Sequence, residues 1–282
     1  MTKRILAVAF LLLTFQFLIL TLSLSRCSAQ SFIPNSGARS VALGFSEHLF
    51  GDAYSVFANP ASLAWLEKPT VVIGSSQRFF MKELSSAGAG FAYPMKNSAL
   101  GLNLNYYGFS SFSRKCGAIS YTQKITENIA FAAKLDYLQT SINEYGINNA
   151  VTGELGVAVK VTKDLNFGMH AFNPFLVSGG YFTDERIPTG FSLGLNYKLA
   201  DQLLLIAESS KELNSPGRLH TGLEYKPAEK IFLRGGFSTH PFEYGFGLGF
   251  QFKNWMVDAA SAYHVQLGYS PCVTLKYSFS KK

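Results

Sequence analysis

The feature that most constrains this chain is an alternation of apolar and small or polar residues, with a period of two, that recurs from about residue 70 to residue 279. Leu100, Leu102 and Leu104 alternate with Gly101 and Asn103. The same alternation returns in residues 129–137, 155–161, 191–198, 219–226, 244–252 and 273–279. Successive side chains of a β-strand point to opposite faces. The pattern therefore predicts a long series of strands, each with one apolar face.

Two all-β architectures carry such strands. A soluble sandwich turns the apolar face inward, whereas a membrane barrel turns it outward to lipid and its polar face to the lumen. The aromatic residues cluster at strand ends, the strands run for about nine to twelve residues, and the other face carries Gly, Asn, Lys and Glu in mid-strand. Charged residues make up only 15% of the chain, and aromatic residues also make up 15%. These features favour a transmembrane antiparallel β-barrel.

The spacing of short polar turns gives the strand number. Six turns are recognisable, at residues 94–97, 124–128, 162–164, 198–201, 226–229 and 253–254. Each interval is long enough for two strands and one longer loop, so the chain is expected to form about 14 strands. An even number of strands places both termini on one side, the periplasmic side in bacterial barrels. The longest loop on the other side, residues 174–188, is still short.

The first residues carry the marks of a secretory signal peptide. Lys3 and Arg4 precede an apolar run from residue 5 to residue 24, and Ser28-Ala29-Gln30 follows. A basic start, an apolar run and small residues are typical of such peptides, so residues 1–30 are predicted to be removed. An uncleaved membrane anchor is the alternative. We expect the mature protein in the outer membrane of a Gram-negative bacterium, in contact with its lipid.

Charge and cysteine usage exclude several other classes. The net charge is +7, and removal of the signal leaves 22 basic and 18 acidic residues, a net charge of +4. The basic residues are scattered, which argues against nucleic-acid binding. Cys116 and Cys272 show neither a disulfide framework nor metal-ligand spacing. No metal or cofactor is expected.

The segment between signal and barrel, residues 31–68, does not follow the strand pattern. It is rich in Gly, Ala and Ser and contains Gly51-Asp52-Ala53 and Asn59-Pro60-Ala61. Proline cannot donate to a sheet and interrupts a helix. We interpret this segment as an N-terminal hatch, or plug, that lies in or under the lumen of a barrel formed by residues 69–282.

These residues also resemble a known family. Gly37 to Phe45, then Gly51-Asp52-Ala53, then Asn59-Pro60-Ala61 are similar to the start of the FadL-type outer-membrane proteins, most closely their PorV/PorQ-type branch. The resemblance implies a barrel of 14 strands with the Asn-Pro-Ala motif in an N-terminal hatch. It also implies a non-enzymatic accessory role in protein export, with secretion-machine proteins as partners.

Two functions therefore stay open. The export role predicts a plugged lumen, with function at the loops. A FadL-like passive transporter of small hydrophobic molecules predicts an apolar pocket. The candidate pocket residues are Phe50, Phe57, Trp65, Phe172 and Phe232. A lumenal polar network is expected from Glu208, Glu224 and Arg234.

An enzyme is not expected. The chain has no nucleophile-elbow, zinc or phosphate-loop motif, and His170 and His220 have no Ser or Asp partner that spacing reveals. Glycines are concentrated on the inward face at Gly245, Gly247 and Gly249, with Gly235 and Gly236 nearby. They indicate either a narrowed wall beside the hatch, or a lateral opening, or simple strand curvature.

Overall fold

The computed structural model describes residues 37–48, 50–177, 187–213 and 215–280. The predicted signal peptide and residues 31–36 of the predicted hatch lie outside these ranges. The described chain forms one closed barrel of 14 antiparallel strands, in which β1 pairs with β14. The strands are β1 (Thr70–Gln77), β2 (Ser85–Pro94), β3 (Ser98–Phe109), β4 (Phe112–Lys124), β5 (Ile129–Ile142), β6 (Gly146–Lys160), β7 (Leu165–Phe172), β8 (Gly190–Ala200), β9 (Leu203–Glu212), β10 (Arg218–Ala228), β11 (Ile231–Ser238), β12 (Glu243–Phe252), β13 (Trp255–His264) and β14 (Gly268–Ser278).

Every strand pairs with its neighbours in sequence, and the closing pair aligns Thr70 with Ser278. Six short connections lie at one end of the barrel, which we call the turn end, together with the start of β1 and the end of β14. Seven connections lie at the other end, the loop end. The predicted class, strand number and turn positions are confirmed. None of the helices in the described ranges has the length and apolarity needed to cross a membrane.

The two faces of each strand are inverted relative to a water-soluble protein. On β5, Phe131, Leu135 and Tyr137 point outward and are about half exposed, whereas Lys134 and Asp136 point inward and are buried. A barrel places apolar side chains outside only where lipid replaces water. The predicted orientation of the alternating faces is therefore confirmed.

Aromatic side chains gather near both ends of the barrel. Trp255 stacks on Tyr277 with ring centroids 4.5 Å apart at the turn end, and Tyr263 lies 4.9 Å from Tyr269 at the loop end. Aromatic rings at these levels suit the two lipid–water interfaces.

Residues 37–48 and 50–66, which we call the lumenal segment, lie inside the barrel. The segment contains helix α1 (Ala38–Ala42) and two short 3-10 helices, Ala53–Val56 and Pro60–Trp65. Most of its residues are buried, and its hydrogen-bond partners are inward-facing groups of strands around the wall. Because the outward faces of the strands are exposed, this burial is possible only in the lumen.

Candidate functional site: the lumenal segment and its cavity

The two sequence motifs of the lumenal segment are helix starts. Asp52 caps the first 3-10 helix, because its Oδ1 accepts a hydrogen bond from the Tyr54 N–H at 3.0 Å. Asn59 caps the second in the same way through the Ala61 N–H at 3.0 Å, with Pro60 at the first helical position. Asp and Asn are preferred caps, and proline suits the first position because its missing N–H would be unpaired there. The Gly51 N–H donates to the Ser62 carbonyl at 3.1 Å and ties the two helices together.

Asn59 also fastens the segment to the wall. Its Nδ2 lies 3.1 Å from the Val157 carbonyl oxygen on β6 and 3.0 Å from that of Met169 on β7. The same Nδ2 lies 3.1 Å from Nδ1 of His48. Nearby, Thr122 on β4 donates to the Pro60 carbonyl at 2.8 Å. The Asn-Pro-Ala motif therefore both starts a helix and binds three strands.

A glycine socket receives His48. Gly168 on β7 and Gly194 on β8 pair directly in the sheet, and the His48 ring lies against both. A Cβ atom at Gly194 would come within 2.7 Å of the ring, so a larger residue there would displace it. Nε2 of His48 lies 2.8 Å from Oγ of Ser192, and Asn196 donates to the His48 carbonyl at 2.7 Å. His48 is thus held from several sides.

A second set of glycines receives the backbone of residues 41–44. A Cβ at Gly222 would come within 2.8 Å of the Leu43 backbone, and one at Gly236 within 2.5 Å of the Gly44 nitrogen. Gly245 faces the Val41 carbonyl oxygen, and a Cβ at Gly247 would come within 2.8 Å of the Ala42 side chain. The lumenal segment therefore approaches this glycine-rich wall closely, whereas Gly249 faces Asp258 and Arg234. Gly235 has no atom within 4 Å of its Cβ position and does not take part.

Six charged side chains form a closed ring between the lumenal segment and the wall. Arg39 binds Glu224 with two hydrogen bonds of 2.9 and 3.0 Å and binds Asp52 at 2.8 Å. Around the ring, the remaining nitrogen–oxygen distances are Glu224–Arg234 2.6 Å, Arg234–Asp258 2.6 Å, Asp258–Lys276 3.5 Å and Lys276–Asp52 2.9 Å. Three cations alternate with three anions, so each buried charge has opposite charges beside it, as burial requires. Two members come from the lumenal segment and four from β10, β11, β13 and β14.

The environment shifts the pKa values of the charged and titratable groups of the lumenal segment. Burial alone would raise the pKa of Asp52, but Lys276 and Arg39 hold it below its usual range. Burial alone would lower the pKa of Arg39, but Glu224 and Asp52 raise it. Burial lowers the pKa of His48 to about 3, assisted by the imidazoles of His170 and His220. His48 is therefore neutral at neutral pH.

The predicted polar network is only partly assembled. Glu224 and Arg234 bind each other, as expected. Glu208 lies elsewhere, because its Oε2 accepts hydrogen bonds from the Glu47 and His48 N–H groups at 2.7 and 3.3 Å. Sequence reasoning did not join Arg39 and Asp52 to the network. The sequence does contain a signal for Arg39 and Asp52, because both are charged residues in a segment of mostly small and apolar residues.

His170 and His220, the two inward-facing histidines of the strands discussed above, have hydrogen-bond partners that spacing along the chain does not reveal. Nε2 of His220 lies 2.9 Å from Oγ of Ser210, and its Nδ1 lies 2.7 Å from the Gly44 carbonyl oxygen. Since a carbonyl only accepts, Nδ1 carries the hydrogen and Nε2 accepts from Ser210. Nε2 of His170 lies 2.8 Å from Oε2 of Glu154, whose Oε1 accepts from Lys134 at 2.9 Å.

A cavity of about 460 Å³ lies beside the lumenal segment toward the loop end. Its lining includes the apolar or weakly polar side chains of Val41, Phe45, Tyr54, Phe57 and Cys272. It also includes polar residues of β5 to β10, among them Lys134, Glu154, His170, Glu208 and His220. The lining is therefore mixed, and the lumenal segment contributes to it.

The structure does not bring the five predicted pocket aromatics together. Phe57 and Phe172 line the cavity. Phe50 packs on Trp65, with centroids 5.7 Å apart, and Lys160 lies 4.9 Å from the centre of the Trp65 ring. The centre of the Phe232 ring lies 5.4 Å from Nζ of Lys226 and 5.4 Å from Cζ of Arg234. The aromatics lie at different levels of the lumen, which residue type alone could not distinguish.

Within the described ranges, no group of three or more His, Cys, Asp or Glu side chains is arranged to hold a metal ion. The fold and the lumenal contacts together define a 14-stranded membrane barrel whose lumen is occupied by its own N-terminal segment.

Comparisons with known proteins show which solved structures have a similar fold. No protein-family model and no curated protein sequence matches the chain. Among solved structures, the chain is similar to a TodX mutant described as a monoaromatic hydrocarbon channel, with a TM-score of 0.71, 13% identity, and coverage of 86% of this chain and 99% of that one. It is similar to the toluene transporter TbuX of Ralstonia pickettii, with a TM-score of 0.68, 15% identity, and coverage of 86% and 98%. A FadL homologue of Pseudomonas aeruginosa gives a TM-score of 0.69, 12% identity, and coverage of 89% and 100%. The chain therefore has the FadL-type fold.

Proposed function

We propose that this barrel is a passive, non-enzymatic channel for small, largely apolar molecules in the outer membrane, and that the lumenal segment is its hatch. The observation that carries the proposal is the cavity at the loop end, which ends on the lumenal segment instead of continuing through the barrel. Such a blind cavity suits a cargo that is first bound and then released. The similar solved structures named as hydrocarbon channels or transporters support this choice.

The cavity suits such a cargo in size and chemistry. Its volume of about 460 Å³ lies in the range of ordinary small-molecule sites, about 300–1,000 Å³. Phe45, Tyr54 and Phe57 offer an apolar and aromatic side to a ring or a short chain. The polar residues of the lining can bind one hydrogen-bonding group, so a molecule with an apolar body and a single polar group would use both kinds of residue.

The proposal includes an orientation. The start of β1 and the end of β14 lie at the turn end, and we place that end in the periplasm of a Gram-negative bacterium. The loop end, with the mouth of the cavity, then faces outside. Cargo would bind from outside and leave either through the wall or past a displaced hatch, because the hatch closes the straight path.

The accessory role in protein export, implied by the resemblance to the PorV/PorQ-type branch, gains no support from the comparisons. It remains the competing hypothesis because a plugged lumen is compatible with both roles. The two differ in what the barrel retains. A conduit retains a small molecule in its cavity, whereas an export component retains a protein partner at its rim.

Mass spectrometry of the barrel, taken gently from its native membrane in mild detergent, separates these functions. The proposal predicts a stoichiometric small apolar molecule and no stoichiometric protein. The variant Phe57→Asp should abolish retention, since it places a charge among the apolar residues of the cavity. Tyr145→Asp, at an exposed position in the connection between β5 and β6, is the matched control. A stoichiometric protein partner with no small molecule would overturn the proposal.

A further inference from the structure

The connection between β1 and β2, residues 78–84, folds over the mouth of the cavity. The ring of Phe79 lines the cavity, and its neighbour Phe80 points away and is 66% exposed. The Phe79 N–H donates to Oγ of Ser270 on β14 at 3.1 Å. The Phe79 ring meets the ring of His264 edge to face, with centroids 5.9 Å apart. One aromatic ring thus closes part of the mouth.

An ion pair attaches this connection to the barrel wall. Nη2 of Arg78 donates to Oε1 of Glu243 on β12 at 2.8 Å, and Glu243 is buried. In the barrel, β14 and β13 lie between β1 and β12, so the pair reaches across the mouth beyond the neighbouring strands. The Arg78 guanidinium also lies 5.0 Å from the centre of the Phe79 ring, within range of a cation–π contact. The ion pair and the ring therefore act together.

The backbone of the connection is strained where the ring turns inward. Phe79 has φ 53° and Phe80 has φ 57°, two consecutive bulky residues in the left-handed region. Such conformations are unfavourable for side chains with a Cβ and persist only where surrounding contacts hold them. The contacts to Glu243, Ser270 and His264 do so here. Loss of these contacts would let the connection relax away from the mouth.

A native thiol lies beneath the connection. Cys272 is two residues beyond Ser270 on the same inward face of β14, pairs with Ser76 of β1, and is 2% exposed. It also lines the cavity. Because Ala38 and Val41 pack in the same cluster as Cys272, its accessibility to a water-soluble reagent reports whether the mouth is covered as long as the lumenal segment stays docked.

We propose that residues 78–84 form an access lid for the cavity, with Phe79 as the gating ring and the Arg78–Glu243 pair as its latch. The proposal deepens the channel function and rests on the cavity as the site of the cargo. The lid alternates between the latched form and an open form in which the Phe79 ring leaves the mouth.

The test measures the rate at which N-ethylmaleimide modifies Cys272 in the folded, full-length barrel, quantified on the peptide that contains Cys272. Glu243→Gln keeps the shape of the latch but removes its charge, and Phe79→Ala removes the ring. Glu243→Gln should label about tenfold faster than wild type, the factor expected for weakening of one charge-assisted hydrogen bond. Phe79→Ala should also label faster than wild type, because it removes the ring that covers the mouth. Phe80→Ala, the adjacent residue with the same backbone strain and an outward side chain, should label at the wild-type rate.

Retention of the folded form on unheated gels confirms that each variant is assembled. Wild-type labelling rates in both Glu243→Gln and Phe79→Ala would overturn the lid, as would equal acceleration by Phe80→Ala. Toluene uptake by cells that carry the same variants separates the two proposals. Absence of uptake in wild type and every variant would overturn the channel function and leave the labelling result to decide the lid. Uptake with unchanged labelling would support the channel and overturn the lid.

Discussion

Arg39, on the short helix inside the barrel, holds the carboxylate of Glu224 on β10 with two hydrogen bonds of 2.9 and 3.0 Å. This forked contact joins the lumenal segment to the wall and completes the six-membered ring of charges. Each member of the ring contacts two opposite charges, so removal of one leaves an excess of one buried charge of the opposite sign. The ring is therefore the part of the interior where a single substitution has the largest expected effect.

Arg39→Gln should loosen the lumenal segment. The substitution removes the charge shared by Glu224 and Asp52 and is expected to weaken docking by about 3 kcal/mol, the cost typical of breaking a buried pair. In planar bilayers the variant should show frequent opening events that wild type lacks. The matched control is Lys198→Gln, which removes an exposed pair with Asp201 at the turn end. An exposed pair contributes little, so equal opening in the control would contradict the role of the ring.

Gly194→Val should expel His48 from its socket. A Cβ at this position already meets the His48 ring at 2.7 Å, and the branched side chain adds two further methyl groups. Valine is favourable in strands, so the barrel itself should still assemble. The emission spectrum of Trp65, measured in a Trp255→Phe background, should shift as the segment leaves its site. Gly235→Val, where the Cβ would meet open space, should leave the spectrum unchanged.

The docking of the lumenal segment should weaken in acid through His48. Its pKa is lowered to about 3 in the docked state, against an ordinary value of about 6.5. The docked state therefore binds fewer protons between these values, and docking should be strongest above about pH 6.5 and decline by at most about 1.4 kcal/mol per pH unit as the pH falls. Burial raises the pKa of Glu47, which works in the opposite direction.

The contribution of His48 is isolated by comparing wild type with His48→Gln. The Trp65 signal should respond to acid more steeply in wild type than in the variant between about pH 6.5 and pH 4. Identical pH profiles would show that His48 does not control docking.

Leu135→Arg should impair membrane insertion. Leu135 lies on the outward face near the middle of β5 and is 57% exposed. An arginine on the lipid face costs about 2–4 kcal/mol at mid-membrane. Tyr145→Arg, in the loop-end connection that follows β5, is the control and should be tolerated. The yield of folded barrel after refolding into vesicles measures both, and normal folding of Leu135→Arg would contradict the assigned faces.

The sequence predicts the barrel well because its signals are local and repeated. Residues such as Leu100, Leu102 and Leu104 fix the outward face through a period of two, and the polar turns fix the strand number. Both signals can be recognised in the sequence without knowledge of tertiary contacts.

The lumenal contacts were harder to predict because they join residues far apart in the chain. Arg39 meets Glu224 only after β10 has been placed by closure of the whole barrel, and Ser210 meets His220 only through the register of β9 with β10. The side chain of Glu208 points inward, as that of Glu224 does, but it accepts a hydrogen bond from the backbone N–H of Glu47 at another height in the lumen. The alternation of residues along a strand therefore gives the face on which a side chain lies but not its height along the barrel axis. For that reason, residue type and strand face do not separate Phe57 and Phe172, which line the cavity, from Phe50, Trp65 and Phe232.

The proposed channel requires that the lumenal segment closes a barrel that would otherwise conduct. The most direct measurement is single-channel conductance in planar bilayers of the full-length protein and of a chain that lacks residues 31–66, each shown to be folded. We predict that the full-length barrel stays closed and that the shortened chain shows a stable, open conductance. A shortened chain that inserts and remains as closed as the full-length protein would contradict the account.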